Sequence, residues 1–322
     1  MMRTSDGIEG LRRIPAGSIM SIGNFDGMHL GHAKILQSMR ELRAASEPLV
    51  VVTFEPHPLT VLRPKFAPPR LTPPNVKNQL LESAGVDELV ILPPTREVLG
   101  LAAEQFWQIL RDQVRPKHLV EGASFSFGKG RGGNVRKLRE WSAGSEVSLH
   151  VIDAVEAILL NLQIVQVSSS LIRWLISYGR VRDAAICLGR DYALSGRVIR
   201  GHGRGKKLGI ATANLDCDDQ LIPADGVYAA RCDIDGKNYS VALSIGITPT
   251  FEENQRQVEA HLLDFDGDLY NRTIHIELID WLRDQLRFSD VEALKSQIAR
   301  DIGATRKTLL TTAARLAGAG LA

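Results

Sequence analysis

The feature that most constrains the fold is a change of texture along the chain. From Ile19 to about Val155, short β-rich runs alternate with segments of helical apolar spacing: 49–54 then 76–84, 89–92 then 102–111, 118–121 then 134–143, and a further run at 147–152. Such alternation builds a parallel sheet with helices on its faces. Beyond about Asp191 the runs are short and β-like, at 192–199, 226–234, 239–245, 258–263 and 273–278, separated by Gly, Asp, Pro and Asn. Many short strands with close turns predict a small antiparallel barrel. Two helical patterns follow at 290–299 and 304–317, the first with Ser289 as its N-cap. The boundary between the two textures falls at 186–190, so the chain reads as an α/β domain over 1–187 followed by a barrel with C-terminal helices over 188–322.

A chain of 322 residues with 44% hydrophobic and 24% charged residues can bury two ordinary cores. Its net charge of +2 supplies no global field that would select nucleic acid or an anionic membrane. The three cysteines, Cys187, Cys217 and Cys232, are widely spaced and odd in number, which fits neither a disulfide framework nor a four-ligand zinc site. No basic-then-apolar leader opens the chain, and no apolar stretch reaches the roughly 18 residues that span a bilayer. A cytoplasmic protein without membrane or nucleic-acid partners is the expectation, as a monomer or weak homo-oligomer.

The densest chemistry lies in Ser21-Ile22-Gly23-Asn24-Phe25-Asp26-Gly27-Met28-His29-Leu30-Gly31-His32. An apolar run over 18–22 reads as a buried strand, Gly23 and Gly27 permit a sharp turn, and 30–43 has helical spacing. His29 and His32 therefore fall at a helix N-terminus, where free N–H groups and the helix dipole favour phosphate and imidazoles can add donors. Two histidines at a helix start also serve as plain caps.

Other segments leave alternatives open. Five basic residues among the glycines of 128–139 would alone suggest RNA, but aromatic interleaving is poor and an amphipathic helix follows. Phe125 and Phe127 alternate as core residues do, and equally as a ligand platform would. His57 between Pro56 and Pro58 reads as a turn residue or a site residue. Ser168 to Ser170 read as a helix cap or as phosphate donors, roles that are compatible. Glu259 and His261 share one face of their strand.

Taken in order, these motifs resemble the bacterial bifunctional riboflavin kinase/FMN adenylyltransferases (FAD synthetases) from about Ser18 to Ile302. The segment 23–32 is similar to the family's first nucleotidyltransferase signature, 53–58 to its second, Arg70-Leu71-Thr72 to the flavin-side loop that follows, 122–133 to the Phe-x-Phe-Gly loop, and 168–173 to the Ser-Ser-Thr-x-x-Arg motif. Gly201-His202-Gly203-Arg204-Gly205 with 208–214 resembles the kinase nucleotide loop, and Glu259 falls on the family's catalytic carboxylate. The resemblance implies a Rossmann-like nucleotidyltransferase domain and a riboflavin kinase barrel. It implies conversion of riboflavin to FMN and of FMN to FAD, with ATP as co-substrate and Mg²⁺ as cofactor.

Residue by residue, the resemblance implies catalytic roles for His29, His32 and Glu259. It implies nucleotide contacts from Gly23, Asn24, Phe25, Asp26, Ser169, Ser170, Arg173, Gly201, Gly203, Gly205, Lys207, Thr212 and Asn214, the last two also facing the metal. Flavin contacts are implied for Phe54, Pro56, His57, Pro58, Arg70, Phe125 and Phe127. Six positions depart from the pattern: Ser124 for Asp or Asn, Ser170 for Thr, Ala211 for Pro, Ser244 for Asn, Thr248 for Arg and Asn271 for Gly. Loss of the proline at Ala211 removes a fixed φ from the loop that carries Thr212 and Asn214. Competence of one half only, or a flavin-binding regulator without turnover, are the alternatives.

Overall fold

The computed structural model describes residues 1–44, 46–201, 210–247 and 256–318, with the side chains of 313–318 left aside. Contacts divide the chain into two compact units, one of residues 1–157 and 164–169, the other of 158–163 and 170 onward.

The first unit is built on a parallel sheet whose strands are β1 (Arg3–Asp6), β2 (Ile19–Ile22), β3 (Leu49–Phe54), β4 (Glu88–Leu92), β5 (His118–Gly122) and, after the short hairpin of β6 (Ser126–Phe127) and β7 (Gly133–Asn134), β8 (Ser148–Ile152). Their order is β1-β4-β3-β2-β5-β8. The inner strands read as continuous apolar runs because both of their faces are covered. Their residues alternate between two cores. Met20, Ile22, Val50, Val52, Val90 and Leu92 face Phe106, Trp107, Leu110 and Leu138, while Ile19, Leu49, Val51 and Leu89 face Leu36, Met39 and Leu81. The helices Leu30–Leu42 and Pro74–Ser83 thus cover one face. Ala103–Gln108, its π-helical continuation Ile109–Val114, and Val135–Ser142 cover the other. The strand order reverses between β2 and β5, and ligands of open α/β sheets bind outside the carboxyl ends at such a point.

A second hairpin, β9 (Glu156–Ile158) with β10 (Ile164–Gln166), precedes the helices Ser169–Ser177 and Val181–Leu188. The barrel consists of β11 (Tyr192–Ile199), β12 (Ala213–Asp216), β13 (Gly226–Ile234), β14 (Lys237–Ile247), β15 (Arg256–Leu262) and β16 (Thr273–Arg283). It closes in the order β11-β12-β15-β14-β13-β16, all pairs antiparallel. Alternate side chains such as Leu194, Val241, Leu243, Ala260, Ile276 and Leu278 are fully buried.

The C-terminal region differs from the expectation. One helix, Val291–Gly318, replaces the two expected at 290–299 and 304–317, because Gly303 is carried inside it. Arg283 holds Asp301 through two bonds of 2.9 and 2.7 Å, which ties the helix to β16 two residues before that glycine. Its cap is Asp290, whose carboxylate accepts from Ala293 N–H at 2.8 Å, while Ser289 donates to Asp290.

Candidate active sites

In the first unit the loop after β2 is anchored from several directions. Gly23 N–H donates to the Val52 carbonyl at 2.9 Å, and the Thr53 hydroxyl donates to the Asn24 carbonyl at 3.0 Å. Phe25 and Met28 hold left-handed backbone (φ 48° and 40°) although neither is glycine. That strain persists because both side chains are sunk in the core beneath the loop, at 1% and 7% exposure. Gly27, at φ 86°, turns the chain between them.

Asp26 has a role that its family assignment alone does not suggest. Its Oδ1 accepts from Leu71 and Thr72 N–H at 3.0 Å each, and its own carbonyl accepts from the Ser169 hydroxyl at 2.8 Å. Asp26 therefore gathers the first loop, the Arg70 loop and Ser169. Ser170 and Arg173 follow Ser169 by one and four residues in the helix Ser169–Ser177.

His29 is the N-cap of the helix Leu30–Leu42, and His32 N–H donates to its Nδ1 at 3.4 Å. The two imidazoles stack, with centroids 3.7 Å apart and planes at 16°, and Phe25 leans on His32 at 4.9 Å. Because Nδ1 accepts, the neutral His29 ring carries its proton on Nε2. Capping uses Nδ1, so a phosphate role for His29 would fall to the opposite ring nitrogen.

Around the second motif, Glu55 accepts from Arg70 at 2.7 Å and from the buried Lys77 at 2.9 Å. Arg70, expected to contact flavin, is thereby oriented by a carboxylate. His57 accepts from Leu59 N–H through Nδ1 at 3.1 Å, the local bond of a turn residue. Phe54 and Phe125 are half-buried at the edge of a core cluster, and Pro56 is exposed. Phe127 is drawn into that core, stacked on Phe125 at 5.4 Å and flanked by Phe106 and Trp141. Sequence reasoning missed Glu55, Lys77 and Glu121. Glu121, 2% exposed at the end of β5, accepts from Ile22 N–H at 2.9 Å, and burial pushes its carboxyl well above the usual range. A charged residue in a strand expected to be covered on both faces was the available signal.

In the second unit Glu259 on β15 stands in register with Asn214 on β12 and with Ser244 on β14. The Ser244 hydroxyl accepts from the Gln285 amide at 2.9 Å. Gly201 packs so closely on Asn214 that any Cβ there would fall inside the Asn214 amide. Thr212, two residues before Asn214, is half-buried. His261 Nδ1–H donates to the Ala211 carbonyl at 2.7 Å. This bond pins the segment that leads into Thr212. Gly203, Gly205, Lys207 and Thr248 lie outside the described residues. Among the described residues no cluster of three or more His, Cys, Asp and Glu side chains is gathered for a metal. Thr212 and Asn214 instead offer a hydroxyl and an amide oxygen, hard oxygen donors of the kind magnesium prefers.

A family model described as FAD synthetase matches residues 11–170, and one described as riboflavin kinase matches 188–309. The bifunctional riboflavin kinase/FMN adenylyltransferase of Escherichia coli K12 is 35% identical over 93% of this chain and 96% of its own. The protein of that name from Pseudomonas fluorescens is 34% identical over 98% of this chain and 100% of its own. Among solved structures, a protein named macrolide-efflux protein from Streptococcus pneumoniae superposes with a TM-score of 0.83 at 28% identity, over 94% of this chain and 98% of that one. No helix among the described residues is long and apolar enough to cross a membrane.

Proposed function

The chain belongs to the bifunctional riboflavin kinase/FMN adenylyltransferase family, and from that premise we propose which of its residues carry the two reactions. The enzyme phosphorylates riboflavin to FMN and adenylylates FMN to FAD, using ATP in both steps. Residues 1–187 are assigned to adenylyl transfer and 188–322 to the kinase.

In adenylyl transfer the FMN phosphate oxygen attacks the α-phosphorus of ATP, the bond to the β-phosphate oxygen breaks, and pyrophosphate leaves. His29 Nε2 and His32 stabilise charge on the α-phosphate and the leaving group, a contribution of about 100- to 1,000-fold for a single donor. Gly23, Asn24, Phe25 and Asp26 form the nucleotide loop, while Ser169, Ser170 and Arg173 receive the polyphosphate tail. Arg70 faces the flavin side under the control of Glu55, with Phe54, Pro56, His57, Pro58 and Phe125 around it. Phe127 supports Phe125 from the core.

In the kinase half the ribityl 5′-hydroxyl attacks the γ-phosphorus of ATP and ADP leaves. Glu259 orients that hydroxyl and takes its proton, a role worth about 100- to 10,000-fold. Thr212 and Asn214 would hold Mg²⁺ together with the ATP phosphates, and the ion would neutralise charge on the moving phosphoryl group. Gly201, Gly203, Gly205 and Lys207 are assigned to the nucleotide loop. A cytoplasmic monomer or weak homo-oligomer, acting on small molecules without nucleic acid or membrane, completes the reading.

The observation that carries it is that each half assembles its own constellation, the stacked His29 and His32 at a helix start and Glu259 opposite Asn214 across two barrel strands. Incubating the purified chain with riboflavin and Mg·ATP tests it. FMN should appear first and FAD after it. FMN without FAD would remove the adenylyl-transfer assignment, and flavin binding without either product would make the protein a regulator.

A further inference from the structure

From β2 the chain passes to β3 on one side of the sheet and reaches β5 on the other. The ladder between β2 and β5 joins Ile19 to His118 and Met20 to Leu119, and goes no further. Two residues on, the N–H of Ile22 meets no backbone carbonyl of β5 but the Oε1 of Glu121, at 2.9 Å. The next N–H, that of Gly23, points the other way to the Val52 carbonyl. Ile22 is the hydrogen-bond partner of Glu121 among the described residues, and both are buried, at 4% and 2% exposure.

We propose that Glu121 is a positioning residue for adenylyl transfer: its carboxyl completes the parting β2–β5 ladder at Ile22 and so sets where the Gly23–His32 loop begins. The proposal rests on the assignment of that loop to adenylyl transfer. Burial raises the proton affinity of Glu121 well above the ordinary, and the Ile22 N–H bond opposes it. Protonated or ionised, the carboxyl keeps an oxygen that accepts from Ile22 N–H. An apolar side chain would leave Ile22 N–H buried and unanswered, whereas a peptide carbonyl from β5 cannot reach it once the strands have parted.

The test measures FAD formation from FMN and FMN formation from riboflavin in the same preparations of the full chain, Glu121→Gln and Glu121→Val. Glutamine keeps the acceptor and cannot ionise; valine removes it. Glu121→Val should lower kcat/KM for ATP in FAD formation by about 10- to 100-fold while riboflavin phosphorylation stays within about twofold. Glu121→Gln should keep FAD formation within about threefold. Wild-type FAD formation in Glu121→Val, or equal damage in Glu121→Gln and Glu121→Val, would each overturn the proposal. If Glu121→Val does not fold, seen as loss of both activities, Glu121→Met, which keeps the length of the side chain without its oxygens, is measured in its place. Failure of the loop's assignment reads differently, as FAD formation that survives His29→Ala, and the proposal would fall with it.

Discussion

His261 Nδ1–H donates to the Ala211 carbonyl across 2.7 Å, tying the strand that carries Glu259 to the segment that carries Thr212 and Asn214. The bond does from the side what a proline would do from within, since it holds the approach to Thr212 where no ring fixes φ. His261→Ala should therefore lower kcat/KM for ATP in riboflavin phosphorylation by roughly tenfold, the scale of one lost hydrogen bond. Adding Ala211→Pro should restore part of the loss, because the ring supplies the missing constraint. Steady-state kinetics of the single and double variants decide it, and a double variant no better than His261→Ala would show that the bond does not act through the loop.

Asp26 holds the Arg70 loop through both carboxylate oxygens: Leu71 N–H is shared by Oδ1 and Oδ2 at 3.0 Å each, and Thr72 N–H donates to Oδ1 at 3.0 Å. Asparagine retains Oδ1 and loses Oδ2, and alanine loses both. Asp26→Ala should lose about 1–3 kcal/mol of stability together with FAD formation, while Asp26→Asn loses less. Denaturant unfolding of the two variants checks this, and a loss in Asp26→Ala no larger than in Asp26→Asn would show that the Oδ1 bonds contribute nothing.

His118 and His150 meet across β5 and β8, Nδ1 to Nε2 at 3.0 Å. Burial lowers both below the ordinary value of 6.5; for His118 the neighbouring His150 and Lys117 add to the effect and Glu47 opposes it. The unfolded chain thus takes up protons first as the pH falls, so the pair's contribution is complete above 6.5 and is lost as pH drops through the lowered folded values. Thermal melting against pH should show this decline in the parent and a shallower one in His150→Gln. Identical slopes would exclude the pair as its source.

Much of this architecture was legible in the sequence, and the exceptions have identifiable causes. The run Leu49–Phe54 announces a strand covered on both faces, and the alternation in β13 and β15 marks barrel strands with one face inward. β1 escaped notice because Arg3–Asp6 is a polar edge strand paired only to β4. β12 is four residues long and takes its definition from its neighbours β11 and β15. Gly303 reads as a helix break, yet its cost of about 1 kcal/mol is offset by the Arg283–Asp301 ion pair beside it. In the sites, His29, His32 and Glu259 were legible as residue types in a pattern. The Glu55–Arg70–Lys77 network was not, since its members lie 15 and 22 positions apart with no periodicity to join them. Alternation at Phe125 and Phe127 could not separate core from platform, and packing against Phe106 and Trp141 assigns Phe127 to the core.

The central claim is that two independent sites in one chain perform consecutive reactions, and separation of products in two single variants tests it most directly. Chromatography of reactions containing Mg·ATP with riboflavin or FMN should show that Glu259→Gln makes FAD from FMN but no FMN from riboflavin. His29→Ala should make FMN from riboflavin but little FAD, with a loss of about 100- to 1,000-fold in the second step. Loss of both products in either variant while the protein remains folded, or retention of both, would contradict it.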